Sequence, residues 1–219
     1  MALYREEGQF LLMVEGSRLM TSSLHVSEEL LASEALSRVQ GKRVLIGGLG
    51  MGFTLRSALD SLPPDSEVTV AELVKEVVEW NRLHLGKLAH HPLRDPRVTV
   101  YLGDVAGLFT QEESWDAILL DVDNGALAFT REGNQDLYGD DGLSVLLKSL
   151  SPDGILAVWS TSPNRKFEKR LRRANFRTET VRVEEMRGRS RYYHYIFLAS
   201  PNRNAELTAT DSSRVSVAY

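Results

Sequence analysis

The apolar residues of this chain fall in short runs: Val44-Leu45-Ile46, Val68-Thr69-Val70-Ala71, Val98 to Leu102, Ala117-Ile118-Leu119-Leu120 and Ile155 to Ser160. Unbroken apolar runs of this length read as strands buried on both faces, the habit of parallel sheets. Between them lie segments with helical spacing: Phe53 to Leu62, Val74 to Leu85, Gly142 to Leu150 and Lys166 to Ala174. Pro63-Pro64-Asp65 stops the first of these, and Ser151-Pro152-Asp153-Gly154 reads as a turn before the Ile155 strand. Two last strands, Arg177 to Val183 and Tyr192 to Ala199, flank a charged loop, Glu184 to Arg191, and predict an antiparallel hairpin. Alternating strands and helices predict an α/β fold: a doubly wound, mostly parallel seven-stranded sheet with right-handed crossovers.

The first 24 residues have a different pattern. Phe10, Leu12 and Val14 alternate with polar positions, and Leu19-Met20 follow Glu15-Gly16-Ser17, which predicts a short N-terminal β-hairpin. Ser27 to Leu36 reads as a helix with Ser27 as its N-cap. The expected organisation is a hairpin and helix over 1–40, a nucleoside-binding α/β domain over 41–200 and a polar, flexible tail over 201–219. There is no internal repeat.

Composition narrows the chemistry. The chain has 219 residues, enough for one full core, with 42% hydrophobic and 26% charged residues. It has no cysteine, which excludes disulfides, thiolate metal sites and cysteine nucleophiles. With no signal-peptide pattern and no run of ~20 apolar residues, the expected location is cytoplasmic, without a membrane span. The net charge of −4 is uneven. Residues 165–191 carry 11 basic and four acidic side chains, so the remainder is strongly acidic and suits a cationic substrate.

Candidate chemistry gathers at the strand ends. Val44-Leu45-Ile46 runs directly into Gly47-Gly48-Leu49-Gly50-Met51-Gly52, where glycines allow a sharp turn and close approach of a ligand. Twenty residues on, the next strand ends in Glu72, placed to hold two ribose hydroxyls. A dinucleotide turn needs G-x-G-x-x-G, and Phe53 stands where its last glycine belongs. Gly48, Gly50 and Gly52 give G-x-G-x-G, which together with Glu72 resembles the S-adenosylmethionine site of class I methyltransferase-like folds and so implies a nucleoside-sulfonium ligand; a dinucleotide and a purely structural turn are the alternatives. Asp104 after Gly103 suits an adenine amino group or, alternatively, a helix N-cap. Asp121, Asp123 and Asn124 follow the fourth strand. Carboxylates there could deprotonate an amine and bind an ammonium group, or cap a turn.

Other features have plainer readings. His90 and His91 precede Pro92 without further ligands at metal spacing, so no metal is expected. Tyr192-Tyr193-His194-Tyr195 reads as alternating core and surface positions, and Trp159 as core packing near the strand ends. The basic run Arg165 to Arg173 places Phe167, Leu171 and Ala174 at helical spacing, an amphipathic helix with a solvated face; nucleic acid is not the expected partner.

From about residue 10 to 200 the chain resembles the spermidine synthase (polyamine aminopropyltransferase) family, within the class I S-adenosylmethionine-dependent methyltransferase-like fold. The resemblance rests on Leu12-Met13-Val14-Glu15-Gly16 to Leu31, the glycine turn, Val70-Ala71-Glu72-Leu73, Asp95-Pro96-Arg97-Val98, Gly103-Asp104, the Asp121 cluster and Ser151 to Leu156. It implies that Glu72 binds ribose, Asp104 adenine, and that Asp121 is the catalytic aspartate. That aspartate would help an amine displace methylthioadenosine from decarboxylated S-adenosylmethionine, in a dimer or larger assembly. Three positions depart from the family. Leu49 and Met51 flank Gly50 where an aspartate usually stands in the turn. Asn124-Gly125 replaces an aspartate and proline, and Ser27 replaces a histidine before Glu28. Methyl transfer from S-adenosylmethionine and a non-catalytic binding role are the competing readings.

Overall fold

A computed structural model describes residues 1–109, 114–121, 137–187 and 189–202. Its main sheet has seven strands: β4 (Arg43–Gly47), β5 (Glu67–Glu72), β6 (Val98–Leu102), β7 (Trp115–Leu120), β8 (Leu150–Ser160), β9 (Phe176–Arg187) and β10 (Ser190–Pro201). They lie in the order β6-β5-β4-β7-β8-β10-β9. β4 to β8 run parallel to their neighbours, and β10 joins β8 and β9 antiparallel. The chain builds outward from β4 through β5 to β6, then returns to place β7 on the other side of β4. That reversal makes a crevice at the carboxyl ends of β4 and β7.

Alternate residues of the central strands feed two separate cores. Val44, Ile46, Ala117, Leu119, Ile155 and Ala157 face helices α1 (Val26–Leu36), α2 (Phe53–Ser61) and α3 (Lys75–Trp80). Leu45, Ile118, Leu120, Leu156 and Val158 face α4 (Asp140–Ser149) and α5 (Arg165–Arg173). Burial on both faces is why these strands show no polar alternation in the sequence. Helix α5 buries Phe167 and Leu171, and Asn164 caps it by accepting from the Phe167 N–H at 2.9 Å. Its basic residues lie on the remaining faces of an amphipathic helix.

The N-terminal region extends the predicted hairpin. Strand β1 (Ala2–Glu6) pairs with β2 (Gln9–Val14), which pairs with β3 (Ser17–Thr21), giving a separate three-stranded antiparallel sheet. Leu3, Phe10, Leu12, Leu19 and Met20 from this sheet pack with Met51, Phe53, Leu85 and Ala89. The small sheet therefore lies against the glycine turn.

Three local expectations are revised. Helix α1 begins at Val26 with His25 at its cap position, so Ser27 is inside the first turn and its hydroxyl donates to Glu28 instead. The Val26 N–H is satisfied by Glu185 Oε1 at 2.8 Å, 159 residues away. Second, Ser151 to Gly154 interrupts β8 as a bulge: Trp115 pairs with Leu150, yet Ala117 pairs with Ile155. A Cβ on Gly154 would sit 2.9 Å from two backbone oxygens, Ser151 O and Trp115 O, so this bulge requires glycine. Third, the charged Glu184 to Arg191 segment is mostly strand, paired from Glu184–Tyr193 to Arg187–Ser190.

The Asp95-Pro96-Arg97-Val98 motif is a structural clamp. Asp95 takes a two-point contact from the Arg97 guanidinium at 2.9 and 2.8 Å, and Arg97 also donates to Leu62 O at 3.0 Å. The Arg97 hydrogen bonds hold the Asp95 carboxyl down at about 2. This pair ties the end of α2 to the start of β6.

Candidate functional site

The sheet register sets the site. Gly47 pairs with Ala71 on one side and Leu120 on the other, and Glu72 pairs with Leu102. Gly48, Glu72, Leu102 and Asp121 consequently stand at one level, at the carboxyl ends of the strands. Three backbone bonds fix these ends: Gly48 N–H to Ala71 O at 2.8 Å, Asp121 N–H to Gly47 O at 2.8 Å, and Gly103 N–H to Glu72 O at 3.0 Å.

The turn itself has left-handed backbone at Gly48 (φ 89°), Gly50 (φ 51°) and Gly52 (φ 87°). Only glycine adopts these angles without a Cβ penalty. Gly52 closes the turn by donating to Leu49 O at 2.8 Å, and its own carbonyl accepts the first bond of α2, from Arg56 N–H. Leu49 and Met51 point into packed layers and are buried.

Glu72 is buried, and its carboxylate is anchored twice. Oε2 accepts from the Leu49 N–H and Oε1 from the Val74 N–H, both at 2.9 Å. The carboxylate thus ties the glycine turn to the end of the neighbouring strand, β5. Asp104 is exposed, and Oδ1 accepts from Ala106 N–H at 2.9 Å, capping a short 3-10 turn (Val105–Leu108). The large apolar residues Leu73 and Leu102 are left 73% and 54% exposed at the ends of β5 and β6.

Asp121 accepts from Thr54 Oγ1 at 2.9 Å. Burial pushes its carboxyl up to about 7, against the Thr54 hydrogen bond and aided by the charge of Glu72. Asp123 and Asn124 lie outside the described residues.

Two residues beside Asp121 were not singled out from the sequence. Thr54 carries no local signal, since a Thr early in a helix is ordinary. Glu28 does have one: it lies on the stripe Glu28, Leu31, Ala32 and Ala35, the buried face of α1. Its hydrogen-bond partner is the Ser27 hydroxyl at 2.5 Å, and no described Lys or Arg pairs with it. Burial foremost, and then the charge of Asp121, push Glu28 up to about 8. Behind it, Glu185 on β9 lies 3.2 Å from His194 Nδ1 on β10, whose ring stacks on Trp159 at 5.1 Å. Burial raises Glu185, but His194, the Val26 N–H and Ser27 outweigh it and hold the carboxyl low.

The Glu28 carboxyl makes stability pH-dependent in a defined direction. A raised carboxyl keeps its proton in the fold after the unfolded chain has lost it. Stability therefore falls as pH rises from the ordinary carboxylate range to about 8, and nothing is lost below that range. Glu28→Gln is expected to be on the order of a few kcal/mol more stable than wild type at pH 9, with little difference at pH 4. Urea midpoints at the two pH values check this; an equal difference at both would contradict it.

His90 and His91 both adopt left-handed backbone (φ 54° and 55°) in a turn before Pro92. Among the described residues no group of three or more His, Asp or Glu could hold a metal ion. None of their helices is long and apolar enough to cross a membrane.

No protein-family model matches the chain. A polyamine aminopropyltransferase of Korarchaeum cryptofilum (strain OPF8) is 31% identical over 134 residues, 61% of this chain and 40% of the relative. One of Prochlorococcus marinus (strain MIT 9313) is 30% identical over 141 residues, 64% of this chain and 47% of the relative. The chain thus spans less than half the length of these curated relatives. A crystal structure of spermidine synthase in complex with the transition-state analogue AdoDATO aligns with a TM-score of 0.70 at 21% identity. That alignment covers 90% of this chain and 68% of that one. The fold is therefore the mostly parallel, methyltransferase-like α/β fold of spermidine synthases. Over the matched stretch, the chain is similar in sequence to polyamine aminopropyltransferases.

Proposed function

We propose that this protein is a transferase that binds decarboxylated S-adenosylmethionine and passes its aminopropyl group to an amine. The observation that carries this reading is the shared level of Gly48, Glu72 and Asp121 at the switch between β4 and β7.

The residues suit each part of the task. A carboxylate has about four lone-pair positions. Glu72 spends two on backbone N–H groups, which leaves two for a pair of ribose hydroxyls. Leu73 and Leu102 offer an apolar wall for an adenine ring. The Asp104 Oδ2 oxygen, not used in the cap, suits an adenine amino group. In the reaction, the neutral amine nitrogen attacks the aminopropyl carbon bonded to sulfur. The carbon–sulfur bond breaks, its electron pair goes to sulfur, and methylthioadenosine departs. The new ammonium gives its proton to the Asp121 carboxylate, whose raised pKa suits a base working near neutrality. Much of the rate comes from holding amine and carbon in line. Asp123 and Asn124 are assigned to the acceptor amine. The N-terminal sheet, with β1 and β3 as its edges, is the proposed contact for a second copy.

One observation favours methyl transfer from S-adenosylmethionine as the second reading. Leu49 and Met51 are buried, so no carboxylate from the turn meets the aminopropyl ammonium. An assay decides. Purified protein is incubated with a panel of primary amines and either decarboxylated S-adenosylmethionine or S-adenosylmethionine. Methylthioadenosine released in step with an aminopropylated amine is the expected result. A methylated amine formed from S-adenosylmethionine, with no aminopropylated amine from the decarboxylated form, would overturn it in favour of the second reading.

A further inference from the structure

The geometry points to Asn81 as the residue that holds the glycine turn in its binding shape, a positioning residue on which nucleoside affinity depends. This rests on reading the turn as a nucleoside site. Helix α3 ends at Trp80, and Asn81 opens a π-helical turn, Asn81–Leu85. Such turns interrupt regular helices at a cost and often mark functional positions. Asn81 is only 2% exposed.

Its side-chain amide bridges the helix and the turn. Nδ2 donates to Gly50 O at 2.8 Å and to Val77 O at 2.9 Å. Both neighbours are carbonyl oxygens, so only the nitrogen can face them and the orientation of the amide is fixed. Oδ1 is buried and accepts no hydrogen bond. It lies 3.1 Å from where a Cβ on Gly52 would stand, beside Pro92 Cγ at 3.1 Å. The amide therefore grips the turn at Gly50 and crowds it at Gly52.

The grip has a consequence for the next peptide. In a trans peptide the carbonyl and the following N–H point in opposite directions. With Gly50 C=O drawn to Asn81, the Met51 N–H is turned away from Asn81. Without Asn81, the Gly50–Met51 peptide is free to rotate, because left-handed glycine has several open conformations. A flexible turn binds more weakly, since ordering it is charged against affinity.

Asn81→Ala is expected to weaken methylthioadenosine binding by about 10- to 100-fold. Asn81→Asp should be worse, because it sets a carboxylate against two carbonyl oxygens. Asn81→Ser separates the two bonds: its hydroxyl can still reach the carbonyl four residues back, Val77 O, and only the Gly50 bond is lost. Leu171→Ala, a core truncation on the opposite face of the sheet, serves as the control. It should lower the melting temperature and leave affinity unchanged. Amide hydrogen exchange over 48–52 provides a readout that needs no ligand, and faster exchange there in Asn81→Ser than in Leu171→Ala is expected. Wild-type affinity together with unchanged exchange in Asn81→Ser would overturn the assignment. If wild-type protein itself fails to bind methylthioadenosine, the nucleoside reading has failed. The dependence of affinity on Asn81 falls with it, and exchange then decides only whether Asn81 holds the turn.

Discussion

Asparagine in place of Asp121 is expected to lower turnover by about 10²–10⁴-fold, the usual contribution of a positioned general base. Methylthioadenosine affinity should stay near that of wild type. The substitution keeps the surrounding structure: the Asp121 N–H still donates to Gly47 O, and the amide oxygen can still accept from Thr54 Oγ1. What it removes is the oxygen proposed to take the proton. Because burial holds the Asp121 carboxyl up at about 7, wild-type turnover should climb as pH rises through that region. Steady-state rates from pH 5 to 9 on both proteins test the assignment. Unchanged turnover in Asp121→Asn would remove this residue from the mechanism.

Glu72→Ala should have the larger effect on binding. Each hydrogen bond to a charged group contributes about 1.5–3 kcal/mol. Losing the two proposed ribose contacts therefore corresponds to about 10²–10⁴-fold in nucleoside affinity. The same change orphans the Leu49 and Val74 N–H groups, so the fold should also lose stability. Calorimetric affinity and a urea midpoint, measured on the same preparation, separate the two losses. A variant that is destabilised yet binds like wild type would mean that Glu72 only holds the turn.

The central strands of the main sheet were legible because burial on both faces writes them as apolar runs; Ala117 to Leu120 is an example. The strand-end residues Gly48, Glu72, Asp104 and Asp121 were legible for a related reason: a polar group after such a run is conspicuous. The misreadings are tertiary in origin. Ser27 looks like a cap, but the helix start is set by Glu185, which no local window contains. Glu184 to Arg191 looks like a loop because it is dense in charged residues, while backbone pairing across the tip makes it strand. Strand β1 has exposed or half-exposed residues throughout, so no apolar pattern marks it. Glu28 and Asn81 left a fainter trace. Each is a polar residue on a buried helical stripe, Glu28 with Leu31 and Ala32, and Asn81 four residues after Val77. Such a residue is either a defect or a working part.

The glycine turn and Glu72 are proposed to bind a nucleoside thioether or sulfonium. Calorimetric titration of the full chain with methylthioadenosine, decarboxylated S-adenosylmethionine and S-adenosylmethionine tests it most directly. Saturable binding of methylthioadenosine and the decarboxylated form, in preference to S-adenosylmethionine, is predicted. Binding of none of the three would contradict it.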